Sequence, residues 1–125
     1  MQLEVVTPTG TAVEVEVDEV TVPGIDGEFG VLPGHTPFLS ALKPGVLRYG
    51  KGGEQRLAIG TGLAEVNGKD LVVIITDRSA RPEDIDAAAA RRELDEADAA
   101  GKSGDAAAEP KRAWAQARLD AVSRK

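Results

Sequence analysis

The sequence predicts a β domain followed by a helical pair: an N-terminal β-sandwich of about ten short strands over 1–82, then an antiparallel two-helix hairpin over 83–125. Three observations carry this. First, the chain changes character near Pro82: 12 of 14 glycines and 12 of 13 valines precede it, while 14 of 19 alanines follow it. Valine with frequent Gly and Pro favours short strands and turns, and alanine with few breakers favours helix. Second, Val13, Val15 and Val17 alternate with Glu14 and Glu16, the period of a strand with one buried and one wet face. Third, turn signals recur every few residues through the first part, as in a sandwich or small barrel.

The elements follow in order. Leu3 and Val5 alternate like the valines after them. The stretch 22–39 carries glycines at 24, 27, 30 and 34 and prolines at 23, 33 and 37. Such a run makes a stiff series of turns and bulges, here anchored by Phe29, Val31 and Leu32. Lys51-Gly52-Gly53 marks a turn. Asn67-Gly68 signals a two-residue hairpin between Leu63-Ala64-Glu65-Val66 and Leu71-Val72-Val73-Ile74-Ile75. The second of these segments is apolar throughout and is expected to be buried on both faces.

Pro82 suits the first turn of a helix, and Glu83, Asp84 and Asp86 complement its positive end. The spacing runs this helix to about Ala100, with Gly101 as its C-terminal cap and 101–104 as the break. Pro110 opens a second helix that carries Trp114, Leu119 and Val122, and the short connection makes the two antiparallel. With Ile85 and Leu94, these are the hairpin's large apolar residues. So little apolar area leaves the hairpin marginal unless it docks on the β domain or a partner.

Composition excludes several function classes. The 125 residues include 21 acidic and 15 basic side chains, a net charge of −6. Phosphate backbones and anionic lipid repel such a chain, so no nucleic-acid partner is expected. The absence of Cys removes disulfides, thiolate nucleophiles and cysteine metal sites. No apolar run reaches the ~18 residues of a membrane span. The first residues lack the basic start and apolar core of a signal peptide. A chain docked peripherally on a membrane complex, without insertion, is expected.

Chemistry-bearing motifs are sparse. Gly101-Lys102-Ser103 resembles the end of a phosphate loop, but Glu96 stands where the motif needs its first Gly, and a helix precedes it instead of a strand. It reads as an interhelical turn. His35 is the only histidine, and no nucleophile elbow or Cys accompanies it, so neither a zinc site nor a triad is expected. Glu14/Glu16 belong to a wet strand face and Asp84/Asp86 to a helix start. No catalytic residue, cofactor or metal site is expected.

The run Pro23-Gly24, then Gly27-Glu28-Phe29-Gly30-Val31-Leu32-Pro33-Gly34-His35, then Leu42-Lys43-Pro44-Gly45, resembles the epsilon subunit of the F-type ATP synthase, called delta in mitochondria. Leu3 to Pro8, Gly60-Thr61-Gly62-Leu63-Ala64-Glu65-Val66 and Ile85-Asp86 match in the same order. The resemblance implies a non-catalytic rotor subunit that couples proton translocation to ATP synthesis, on the cytoplasmic face of a bacterial membrane. It implies a sandwich that binds the gamma subunit and rests on the c-subunit ring through the loop matching 27–36. Gly27, Glu28, His35 and Thr36 are its contact candidates. It implies helices that lie folded on the sandwich or extend to the alpha/beta catalytic subunits and brake ATP hydrolysis. Some relatives bind ATP through Ile/Leu-Asp-x-x-Arg-Ala. Here Ala89 stands in place of the Arg, and weak or no ATP binding is expected.

The second helix also has a feature of its own. After Pro110, Lys111, Arg112, Arg118, Arg124 and Lys125 face only Asp120 in charge, a local reversal in an acidic chain. Dipole complementation accounts for the last two but not for Lys111 and Arg112 at the unfavourable end. These five are the candidate contacts to catalytic subunits. Two alternatives account for less: a free-standing β-sandwich adaptor leaves the central Gly/Pro motif unexplained, and a hydrolase centred on His35 lacks a nucleophile.

Overall fold

A computed structural model describes residues 1–123, so the expectation for Arg124 and Lys125 lies outside the described residues. Ten strands come first: β1 (Gln2–Thr7), β2 (Gly10–Glu16), β3 (Glu19–Gly24), β4 (Gly27–Val31), β5 (Phe38–Leu42), β6 (Gly45–Gly50), β7 (Gln55–Ile59), β8 (Gly62–Asn67), β9 (Leu71–Thr76) and β10 (Ser79–Ala80). Two helices follow, α1 (Ala87–Lys102) and α2 (Ala108–Val122). The strands form one path, β10-β7-β6-β3-β5-β8-β9-β1-β2, with β4 added on β3. The path folds into two layers that meet where Gly24 pairs with Leu42. A Cβ on Gly24 would stand 2.8 Å from the Gly27 carbonyl oxygen, so the corner admits only glycine.

The core is aliphatic. Leu3, Val5, Val20, Val22, Val31, Leu47, Leu57, Ile59, Val72 and Ile74 are fully buried between the layers. A second, smaller cluster lies outside the sandwich, where Val46 and Ala58 of β6 and β7 meet Ala121 of α2. Ala80, Ile85 and Trp114 pack against it. The buried residues of the helices are Leu94 and alanines: Ala90 and Ala97 on α1, and Ala108, Ala115, Ala117 and Ala121 on α2, the last of these against the sandwich.

Several expectations are corrected. Pro82 opens a short 3-10 turn, Pro82–Asp84, rather than the long helix. Ile85 is extended, and α1 starts only after Asp86, whose carboxylate accepts the Ala89 N–H at 3.0 Å. At this break Ile85 packs on the Val46–Ala58 cluster. At the other end Gly104, not Gly101, ends the helix: it has φ +87°. Asp105 N–H reaches Ala100 O at 3.0 Å and Gly104 N–H reaches Gly101 O at 3.0 Å, the paired bonds of a left-handed C-cap.

The hairpin after β8 is also longer than expected. Asn67 is the last strand residue, paired with Leu71. Its side-chain oxygen accepts the Lys69 N–H at 2.8 Å, and Asp70 takes φ 57°. The turn is therefore a three-residue type closed by a left-handed residue. β9 is not buried on both faces: Val72 and Ile74 point inward, but Ile75 is 53% exposed. Val15 lies on the inward side with Val13 and Val17 but is 39% exposed. Of the expected anchors, Val31 is fully buried in the core, but Leu32 is 59% exposed.

Candidate functional site

The loop expected over 27–36 is two structures. Gly27 and Glu28 open β4, paired with Gly24 and Pro23 beside the tight β3–β4 turn. His35 and Thr36 lie past the far end of that strand. A five-residue strand is about 16 Å long, so Glu28 and His35 do not share one point. Glu28 instead borders a cleft with Lys43, Arg48 and Asp120 near the end of α2.

The His35 side is ordered by local bonds. His35 N–H donates to Leu32 O at 3.1 Å, and Gly34 N–H donates to the Asp70 carboxylate at 2.8 Å. The imidazole Nδ1 lies 2.7 Å from Thr36 O. Its ring stands edge-on to Phe38, centroids 6.3 Å apart, and Phe38 meets Phe29 at 5.2 Å. The turn is held to the β8–β9 hairpin and presents Leu32, Gly34 and Thr36 outward. Among the described residues, no group of three His, Cys, Asp or Glu side chains could hold a metal ion.

A second surface went unnoticed in the sequence. On the outward face of β5, β8, β9 and β1, the register sets Leu39, Glu65, Val73 and Glu4 side by side. The next row is Ala41, Leu63, Ile75 and Val6. Leu39 is 63% and Leu63 48% exposed. Sheet faces normally turn such residues inward, and a contiguous apolar patch on an outer face marks an interaction site. The signal was present in the unbroken apolar run 71–75, which reads equally well as a strand buried on both sides.

The third surface is the hairpin. The expected basic face of α2 is not free in this arrangement. Arg118 bonds Glu93 of α1, and Arg112 lies 3.8 Å from Asp98 and 3.4 Å from Glu109. Lys111 is exposed beside them. Two guanidinium groups lie over the Trp114 ring, Arg78 of the sandwich at 4.9 Å from its centroid and Arg118 at 5.7 Å. Arg78 and Trp114 thus join the two parts of the chain. The ion pairs join α1 to α2 and are each worth ~0.2–1 kcal/mol where exposed, whereas docking on the sandwich rests on Trp114, Ile85 and Ala121 against Val46 and Ala58.

Comparison with known proteins comes to the same architecture. The family model for the β-sandwich domain of the ATP synthase delta/epsilon chain matches residues 1–82. The ATP synthase epsilon chain of Geotalea uraniireducens is 44% identical over 103 residues, covering 82% of this chain and 74% of that protein. That of Geobacter metallireducens is 43% identical over 103 residues, with the same coverage of 82% and 74%. Among solved structures, a chain of the Euglena gracilis mitochondrial ATP synthase, described as OSCP/F1/c-ring, superposes with a TM-score of 0.75 at 30% identity. It covers 94% of this chain and 74% of its own. A chain in the central stalk and c-ring of the Tetrahymena thermophila enzyme gives a TM-score of 0.58 at 14% identity, covering 66% of this chain and 67% of its own, a likeness of fold alone.

Proposed function

Because the chain belongs to the delta/epsilon family of ATP synthase subunits, a non-catalytic component of that complex, we propose that it couples proton translocation to ATP synthesis through three separate surfaces. The outward face of Leu39, Leu63, Ile75, Val73 and Val6 meets the gamma subunit. The ends of β4, with Gly27 and Glu28 at one and His35 and Thr36 at the other, supply contacts to the c-subunit ring. The hairpin brakes ATP hydrolysis when it leaves the sandwich and reaches the alpha/beta subunits. The chain works peripherally on the cytoplasmic face of the bacterial membrane. No helix among the described residues is long and apolar enough to cross a membrane.

The observation that supports this best is the exposed apolar face. Its test is Ile75→Lys together with Leu63→Lys. Both positions are outside the core, so the isolated variants should keep their fold and thermal midpoint while failing to co-purify with gamma. Normal co-purification overturns the assignment of this face. Glu28→Ala and His35→Ala, tested separately, should each weaken proton-driven synthesis. Either variant that leaves it untouched removes that residue from the ring contact.

The brake has its own support in the ion pairs. Arg118 and Arg112 pair with Glu93 and Asp98 of α1, so only separation of the two helices frees these partners, Arg112 keeping Glu109 of α2; the exposed Lys111 then joins them toward acidic catalytic-subunit surface. Removing 83–125 should raise hydrolysis by the complex and spare assembly. Unchanged hydrolysis refutes the brake. ATP itself should bind poorly, since Ala89 supplies a backbone N–H to Asp86 but no cation. A micromolar dissociation constant by calorimetry would count against this.

A further inference from the structure

β2 ends the sheet: among the described residues it pairs with β1 alone. The register shows which groups face away from β1. Val17 N–H donates to Met1 O at 2.8 Å, and Val15 and Val13 partner Leu3 and Val5 in the same phase. Bonded and non-bonded pairs alternate along an antiparallel ladder. Val13, Val15 and Val17 therefore spend their backbone groups on β1, and Glu14 and Glu16 turn theirs outward. Ala12 does too: its carbonyl is taken by Arg81 Nη2 at 2.9 Å, which closes that end of the edge.

The side chains along this edge are equally incomplete. Val15 points into the sandwich beside Leu3, yet it is 39% exposed while Leu3 is fully covered. The reason is a groove of about 390 Å³ between the layers, running along β2 and walled opposite by Tyr49, Gly50, Glu54 and Gln55. It has the place of one more strand. Its charge is acidic, from Glu14 and Glu54; the third carboxylate, Glu16, is paired with the Met1 ammonium, and the Arg81 guanidinium in the lining is bonded to Ala12.

We propose that the β2 edge is a strand-addition site for an extended segment of a partner protein in which apolar residues alternate with Lys or Arg. The segment's backbone bonds the outward groups of Glu14 and Glu16. Its apolar side chains enter the groove over Val15 and against Tyr49, and its cation lies beside the Glu14 carboxylate, since Glu16 is paired with the Met1 ammonium. A second copy of this chain fits worse, because pairing β2 with itself sets glutamates opposite glutamates. The inference uses neither the apolar face nor the hairpin and stands apart from the proposed function.

The test uses the full chain and an N-acetylated, C-amidated peptide of alternating Val and Lys. Saturable binding is expected, with hydrogen exchange at the Glu14 and Glu16 amides slowed about tenfold at saturation. Glu14→Pro removes an N–H that bonds nothing in the fold, a substitution that edge strands accept. It should keep the thermal midpoint and weaken binding about tenfold. Should that variant not fold, Glu14→Lys keeps the backbone. It should lose the Val/Lys peptide and gain a Val/Glu one. The proposal is overturned by no saturable binding at millimolar peptide, by protection elsewhere than β2, by equal binding of Val/Glu and Val/Lys peptides to the unmodified chain, or by a self-associated dimer that Glu14→Pro dissolves.

Discussion

Trp114→Ala should release the hairpin without unfolding the sandwich. The indole is half-buried against Val46, Ala58 and Ala121 and carries Arg78 and Arg118 on its ring. A large aromatic residue buries 150–250 Å² when covered, so a half-covered one loses roughly 100 Å², or ~2.5 kcal/mol at 25 cal/mol per Å². Loss of the exposed cation–π contact to Arg78 adds ~0.5 kcal/mol. The remaining docking contacts are alanines, Ile85 and Val46, so a loss of ~3 kcal/mol raises the undocked population roughly a hundredfold. Hydrogen exchange read by mass spectrometry separates the parts of the molecule. Amides of α1 and α2 should exchange up to about a hundred times faster, while those of β1 and β9 keep their rates. Unchanged exchange in α2 would refute the role of Trp114. An equal rise in β1 and β9 would show that hairpin and sandwich open as one unit, and the argument for a detachable hairpin would fail.

Three further outcomes are expected. Residues 1–82 alone should give a cooperative thermal transition with a β-type circular dichroism spectrum, since the aliphatic core lies wholly within them; a molten or insoluble product contradicts this. Gly62→Ala should cost ~3 kcal/mol or more in denaturant unfolding, because the new Cβ would stand 1.8 Å from the Ile75 carbonyl oxygen. Gly30→Ala, with nothing within 4 Å, should stay within ~0.5 kcal/mol of the unmodified chain, and comparable losses at both positions would sink the steric argument. Burial pushes the Tyr49 phenol up, Arg81 opposes this and Glu83 adds to it. The folded state thus favours the neutral phenol, a stabilisation present below the unfolded pKa of about 10 and lost as pH rises through the folded value. Tyr49→Phe should make the alkaline decline in stability shallower, and identical pH profiles would remove Tyr49 as its source.

The sequence alone determined the element types and their order, because these rest on local chemistry. Alternation in 13–17 sets a strand period, Gly and Pro set the turns of 22–39, and an alanine-rich stretch with few breakers can only be helix. The central Gly/Pro motif also made the family legible: Gly24 answers the close approach to Gly27, and Gly27 and Gly34 take positive φ. What tertiary structure decided is which side of an element meets something else. An apolar run such as 71–75 reads alike whether a second layer covers both faces or one. Only the pairing of β9 with β8 and β1, with no layer over its outer face, leaves Ile75 exposed. The separation of Glu28 from His35 and the engagement of Arg112 and Arg118 by acidic side chains were hidden for the same reason. Neighbours distant in sequence settle burial and charge pairing, and local pattern carries no record of them.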